Sequence, residues 1–124
     1  MLGEVCKAVR KELPDMPITA LEPETSRVLT GGHGGPHRVE GITTVSAHPC
    51  CTDRRYSDAR TVDECRARRM TPDLARTEGI LAGTSTALNL VDALDIAGEL
   101  GPGHTVLIVA RDSRLKYLTG SFYT

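Results

Sequence analysis

The tightest constraint on the fold is the run Thr105-Val106-Leu107-Ile108-Val109-Ala110. A half-exposed strand alternates apolar and polar residues. A run without alternation reads as a strand covered on both faces, hence part of a parallel sheet between helices. The residues before it fit. Ala87, Leu90, Val91, Leu94 and Ala97 recur with helical spacing, which predicts an amphipathic helix to about Leu100, stopped by Gly101-Pro102-Gly103. Ahead of that helix, Ile80-Leu81-Ala82 reads as a short apolar strand, and Thr84 or Ser85 as the helix N-cap. Strand, helix, strand in this order predicts a right-handed βαβ unit. The expected class is α/β.

The rest of the chain is less regular. Residues 3–12 predict a helix with Val5, Ala8 and Val9 on one face, ended by Pro14. Residues 17–22 predict a short strand. Gly31-Gly32-His33-Gly34-Gly35-Pro36 can sustain neither helix nor strand, and reads as a mobile or ligand-facing loop or a surface linker. Residues 43–57 carry no clear period, although Thr43 to Ser46 is β-prone. Residues 63–70 predict a helix with Asp63 and Glu64 at its N-terminal end, as the helix dipole favours. Pro72 is expected to interrupt it, with a restart over 72–77.

Composition excludes several classes. The 124 residues carry 15 Lys+Arg against 16 Asp+Glu, so the basic excess of a nucleic-acid scaffold is missing. No apolar run approaches the ~18 residues of a membrane span, and the N-terminus has no signal-peptide core. A cytoplasmic protein without nucleic-acid or membrane partners is expected. The length suits one domain or part of one. Four aromatics (Tyr56, Tyr117, Phe122 and Tyr123) are a thin supply for a self-sufficient core. Cys6, Cys50, Cys51 and Cys65 show no CxxC spacing, so reduced thiols are expected. His33, His37 and His48 with those cysteines could make a zinc site only if four ligands converged from loop segments. Solvated histidines and half-buried thiols are the simpler reading, and no metal is expected.

Two turns could carry chemistry. Ala82-Gly83-Thr84-Ser85-Thr86 lies between a predicted strand and a helix N-terminus, and Arg111-Asp112-Ser113-Arg114 follows the predicted buried strand. Ligands of open α/β sheets bind at strand carboxyl ends, where helix N–H groups suit an anion or a ring nitrogen. Ser85 as a plain helix cap explains the first turn equally well. No Ser/His/Asp order, HExxH or Walker loop is present.

These segments also carry a family likeness. Glu78-Gly79-Ile80-Leu81-Ala82-Gly83-Thr84-Ser85-Thr86, then Val106 to Ala110, then Asp112 to Leu118 resemble the C-terminal part of cysteine synthase. More broadly the chain resembles the fold-type II, tryptophan-synthase-β-like group of pyridoxal-phosphate enzymes. The front third agrees: Glu22-Pro23, Val28-Leu29-Thr30-Gly31-Gly32, Gly35-Pro36-His37 and Glu40-Gly41-Ile42 match that group's motifs in order and spacing. The likeness spans most of residues 2–42 and 77–123. It implies that residues 1–124 form the C-terminal portion of such a domain, a partial parallel sheet, with 43–76 diverged.

The resemblance implies pyridoxal 5'-phosphate as cofactor and a small amino acid as substrate, with the group's β-replacement of O-acetylserine by sulfide giving cysteine. Ser85 matches the serine that hydrogen-bonds the pyridine nitrogen. A neutral hydroxyl there does not enforce a pyridinium. Gly83 and Thr84 share its turn, Gly41 matches a glycine close to cofactor and substrate, and Ser113 is the nearest residue of the second turn. The group's cofactor-bound lysine, its asparagine and its glycine-rich phosphate loop all match positions upstream of Met1. Lys7, Lys11 and Lys116, the chain's three lysines, match none of them. The resemblance therefore implies no catalytic residue within this sequence, and a chain inactive alone. Intact members are expected as homodimers, and this chain as associating with an N-terminal fragment or a paralogue. A non-enzymatic remnant or regulatory partner of an intact paralogue, and a small metal- or ligand-binding α/β domain, remain as alternatives.

Overall fold

A computed structural model describes residues 2–39, 41–42 and 56–111. Five elements follow in the order α1 (Leu2–Glu12), β1 (Thr19–Pro23), β2 (Asp58–Val62), α2 (Glu64–Glu78) and α3 (Thr84–Leu100). They fall into two units. Residues 2–37 with 56–61 build the first, and residues 38–39, 41–42 and 62–111 the second.

In the first unit α1 ends where Pro14 was expected to end it. Arg10 sends its guanidinium past the helix end, donating from Nη1 to the carbonyls of Pro14 at 2.6 Å and Met16 at 2.8 Å. Those bonds fold the chain back into β1, which pairs with β2 in a two-stranded sheet. Ser57 fixes the entry to that pairing. Its backbone N–H donates to Ile18 O, and its hydroxyl accepts from Ile18 N. The strand β2, Asp-Ala-Arg-Thr-Val, has no apolar alternation and is invisible to sequence patterning.

The glycine-rich stretch after β1 is a hydrogen-bonded structure. Glu22, a β1 residue only 4% exposed, turns its carboxylate onto the following turn. It accepts from Leu29 N at 2.6 Å, Thr30 N at 2.8 Å and Thr30 Oγ1 at 2.6 Å. Gly31 N closes the turn onto Arg27 O, and Gly35 N donates to Ser26 Oγ. A side chain at Gly35 would collide with the Thr25 carbonyl. The chain passes Thr25 too closely for any Cβ, which is why glycine stands there.

The second unit is a pair of packed helices followed by an extended segment. Asp63 caps α2, its carboxylate accepting from Cys65 N, and Gly79 ends the helix at φ 69°. Pro72 does not interrupt α2, contrary to the sequence expectation. Its missing N–H and ring clash cost about 3 kcal/mol in a helix interior. Burial of Ala67, Thr71 and Leu74 on the same helix offsets that cost. Arg66 adds a two-pronged contact across to Asp95 of α3, both N–O distances 2.6 Å. That hydrogen bond raises the Arg66 pKa above the ordinary arginine value, against an opposing effect of desolvation.

The helix α3 forms as its spacing predicts, but two details differ. Its N-cap is Gly83, with no side-chain capping bond, so Thr84 and Ser85 lie inside the first turn. The buried face is Thr84, Thr86, Ala87, Leu88, Val91 and Asp92. Leu94 and Ala97, on the predicted apolar stripe, are exposed because the covered face shifts toward the helix start. Gly101 stops the helix, its N–H donating to Ala97 O.

The largest departure concerns the two predicted strands. Residues 105–110 run extended beside no strand among the described residues, and Leu107 is 77% exposed. Ile80 and Leu81 are also exposed, and only Ala82 makes a single bridge. Among the described residues the βαβ unit is thus not closed as a sheet. A strand has no internal hydrogen bonds, so apolar composition alone cannot form one without a neighbour. No described helix is long and apolar enough to cross a membrane.

Candidate cofactor-facing site

The candidate site belongs to the second unit and begins at the start of α3. With glycine as N-cap, the first turn receives no side-chain cap. Two of its three hydroxyl residues, Thr84 and Thr86, are buried. Thr86 spends its hydroxyl 25 residues down the chain, donating from Oγ1 to Arg111 O at 2.9 Å. Asn89, one turn later, donates from Nδ2 to Val109 O at 3.2 Å. These two bonds pin the end of the extended segment along α3. Ser85 is half-buried, and among the described residues no partner engages its hydroxyl.

Gly41 joins the same cluster. Its φ of 78° lies in the left-handed region, where a side chain is strained. A Cβ there would stand 3.8 Å from Arg111 Nη1, so the glycine and the guanidinium are neighbours. The structure therefore brings Gly41, Gly83, Thr84 and Ser85 into the unit that also holds Arg111. Ser113 lies outside the described residues, as do Cys50, Cys51, His48 and the β-prone stretch 43–46. Thr86 and Arg111 lie in the two turns singled out from the sequence, but their bond was not foreseen, and Asn89 was not singled out at all. Their partners are 20 and 25 residues away, and no local pattern encodes such a bond.

Among the described residues no three His, Cys, Asp or Glu gather as a metal-ligand set. Cys6 is buried and Cys65 exposed, both as thiols.

Comparison with known proteins decides the family. Residues 4–112 match the pyridoxal-phosphate dependent enzyme family. The chain belongs to that family. It is similar to the cysteine synthase of Staphylococcus aureus strain Mu50, with 36% identity over 123 residues, which is 99% of this chain and 40% of that protein. A solved O-acetylserine dependent cystathionine β-synthase from Helicobacter pylori superposes with a TM-score of 0.85 at 29% identity, covering 98% of this chain and 40% of that one. An O-acetylserine sulfhydrylase isoform from Entamoeba histolytica superposes at 0.88, but its 24% identity carries the fold alone. The chain thus spans about 40% of the length of the curated Staphylococcus aureus relative. Its architecture is the α/β arrangement of fold-type II pyridoxal-phosphate enzymes in part, and its kinship is cysteine synthase-like.

The residues present fit one part of such a cofactor. A half-buried hydroxyl with no described partner, at an uncapped helix start, suits the ring nitrogen of a pyridine. A neutral hydroxyl can donate to that nitrogen or accept from it without fixing a charge there.

Proposed function

We propose that residues 1–124 are the C-terminal portion of a cysteine synthase-like domain, with 43–76 its most diverged stretch. In this reading the chain supplies the ring-facing side of the cofactor site and not its covalent anchor. The observation that carries the proposal is Ser85: a half-buried hydroxyl freed from capping duty by Gly83. Ser85 holds the pyridine nitrogen, and the Gly83–Thr84 backbone lines the approach. Gly41 lets the chain pass close to cofactor and substrate, and Ser113 borders the ring. Bound pyridoxal phosphate supplies an electron sink for β-replacement on a small amino acid. The chain's own residues orient the ring and tune its nitrogen.

No lysine of this chain is the covalent anchor, so it is inactive alone in this reading. Activity requires the remaining part of the domain, within a homodimer-like assembly in the cytoplasm. The exposed apolar residues Ile80, Leu81 and Leu107 support such an association. Exposed runs of this kind mark surfaces that are covered in use.

The test is spectroscopic. Purified chain mixed with pyridoxal phosphate is expected to show weak, non-covalent binding and no visible band of a lysine-joined cofactor. Ser85→Ala is expected to weaken that binding severalfold. A borohydride-fixable attachment abolished by replacing Lys7, Lys11 or Lys116 overturns the reading. Unchanged affinity in Ser85→Ala removes the assigned role of Ser85.

A further inference from the structure

The first unit contains an open cleft of about 440 Å³ that shares no residue with the turn at the start of α3. One side is the turn after β1, contributing Arg27, Thr30 and Gly31. The other is β2, contributing Ala59, Arg60 and Thr61. Among the described residues the lining thus holds two guanidinium groups, two threonines and no carboxylate.

We propose that this cleft binds a phosphate group, free or carried on a small phosphomonoester. Three observations carry the proposal. The first is charge: Arg27 and Arg60 come from different segments, and two planar donor forks from two segments match a tetrahedral oxyanion with several acceptor oxygens. The second is that the turn is built rather than loose. Gly31 N and His33 N both donate to Arg27 O, and Arg27 Nε donates to Glu24 O, which leaves its two Nη groups as the donors for a ligand. The third is Glu22. This buried carboxylate would neutralise the cleft if it faced it, but its oxygens accept three bonds from Leu29 and Thr30. Glu22 therefore ties the turn to β1, whose partner strand β2 forms the other side. It fixes the spacing of the two arginines without joining the lining. Arg60 has a further interaction in the structure, so a phosphate shares or displaces that partner.

The full chain is titrated with inorganic phosphate, glycerol 3-phosphate and acetate, followed by the backbone amide resonances. The expected result is saturable shifts at Thr30, Gly31 and Thr61 with either phosphate, and none with acetate at equal ionic strength. Arg27→Gln and Arg60→Gln each weaken binding by about five- to tenfold, the loss of one charge-assisted hydrogen bond. Arg27→Lys, which keeps charge but not the fork, falls between wild type and Arg27→Gln. Tighter binding of glycerol 3-phosphate than of phosphate identifies a phosphomonoester ligand, and equal binding identifies phosphate itself. No saturable shift, equal shifts with acetate, or shifts unchanged in both glutamine variants overturns the proposal. Ser85→Ala, which the cofactor reading depends on, leaves these titrations unchanged, so the two proposals fail separately.

Discussion

The extended segment 104–111 is richer in apolar residues than the paired helices α2 and α3, yet it is the helices that bury theirs. In the helix pair Ala67, Leu74, Ala87, Leu88 and Val91 are buried. In the segment, Leu107 and Val109 are exposed, although a strand covered on both faces should bury them. The difference is where the backbone hydrogen bonds go. A helix satisfies its own N–H and C=O groups and then needs one packed face. An extended segment needs a neighbour for both its backbone and its side chains. Among the described residues, the side chains of Asn89 and Thr86 stand in for a neighbour at two points, on the carbonyls of Val109 and Arg111.

This comparison makes a sharp prediction about truncations. Leu88 is 1% exposed against Leu107 at 77%. Leu88→Ala is expected to cost about 2–5 kcal/mol through lost burial and the cavity left behind. Leu107→Ala is expected to change stability by less than about 0.5 kcal/mol, as surface substitutions do. Urea unfolding followed by circular dichroism measures both. Equal costs would break the comparison, because they would mean that the segment is covered in solution, for instance by self-association. Repeating the Leu107→Ala measurement over a range of chain concentrations would reveal that case.

The same contrast explains what could be read from sequence. The helices α1 and α3, β1 and the stop at Gly101 were legible because each depends on local spacing or a local breaker. The continuation of α2 through Pro72 was not. Local rules count the missing bond but not the burial of Thr71 and Leu74 against it. Residues 80–82 and 105–110 were legible as apolar and extended, and their pairing was not, since pairing is a property of two segments. Of the candidate site, Ser85, Gly83, Thr84 and Gly41 came from motif likeness. The Gly83 cap reverses the competing view of Ser85 as a mere cap, a distinction one residue of register decides. Glu22 was legible only as part of a motif. Its role is set by a turn seven and eight residues on, which no period encodes.

A smaller effect sharpens the role of the pinning bonds. Thr86→Val keeps shape and burial but removes the donor to Arg111 O. Arg111 is exposed, so water can replace the lost donor, and the expected stability cost is about 1 kcal/mol or less. The informative readout is amide hydrogen exchange over 109–111, expected to accelerate, while exchange within α2 and α3 stays as it was. If exchange rises equally in both helices, the segment is part of the helical core and not an appendage held by two side chains.

The smallest effect tests whether the helix pair needs its ion pair at all. Arg66 and Asp95 meet through two short hydrogen bonds, but both side chains are well exposed. Exposed pairs gain little, because water screens the attraction and both side chains lose freedom. Apolar burial, not charge, then holds α2 on α3. A double-mutant cycle with Arg66→Ala and Asp95→Ala is expected to give a small coupling at low salt. At ~1 M salt, where the Debye length falls to ~3 Å, that coupling should vanish while the helices stay folded. Arg66 keeps its charge throughout any accessible alkaline titration, as arginine does, and Asp95 shifts its pKa further up. Loss of coupling with rising pH in that range would therefore point to another group at the junction. Coupling that survives high salt would mean that the pair is more desolvated in solution than its exposure indicates, and that charge shares with Leu88 and Val91 the work of joining the helices.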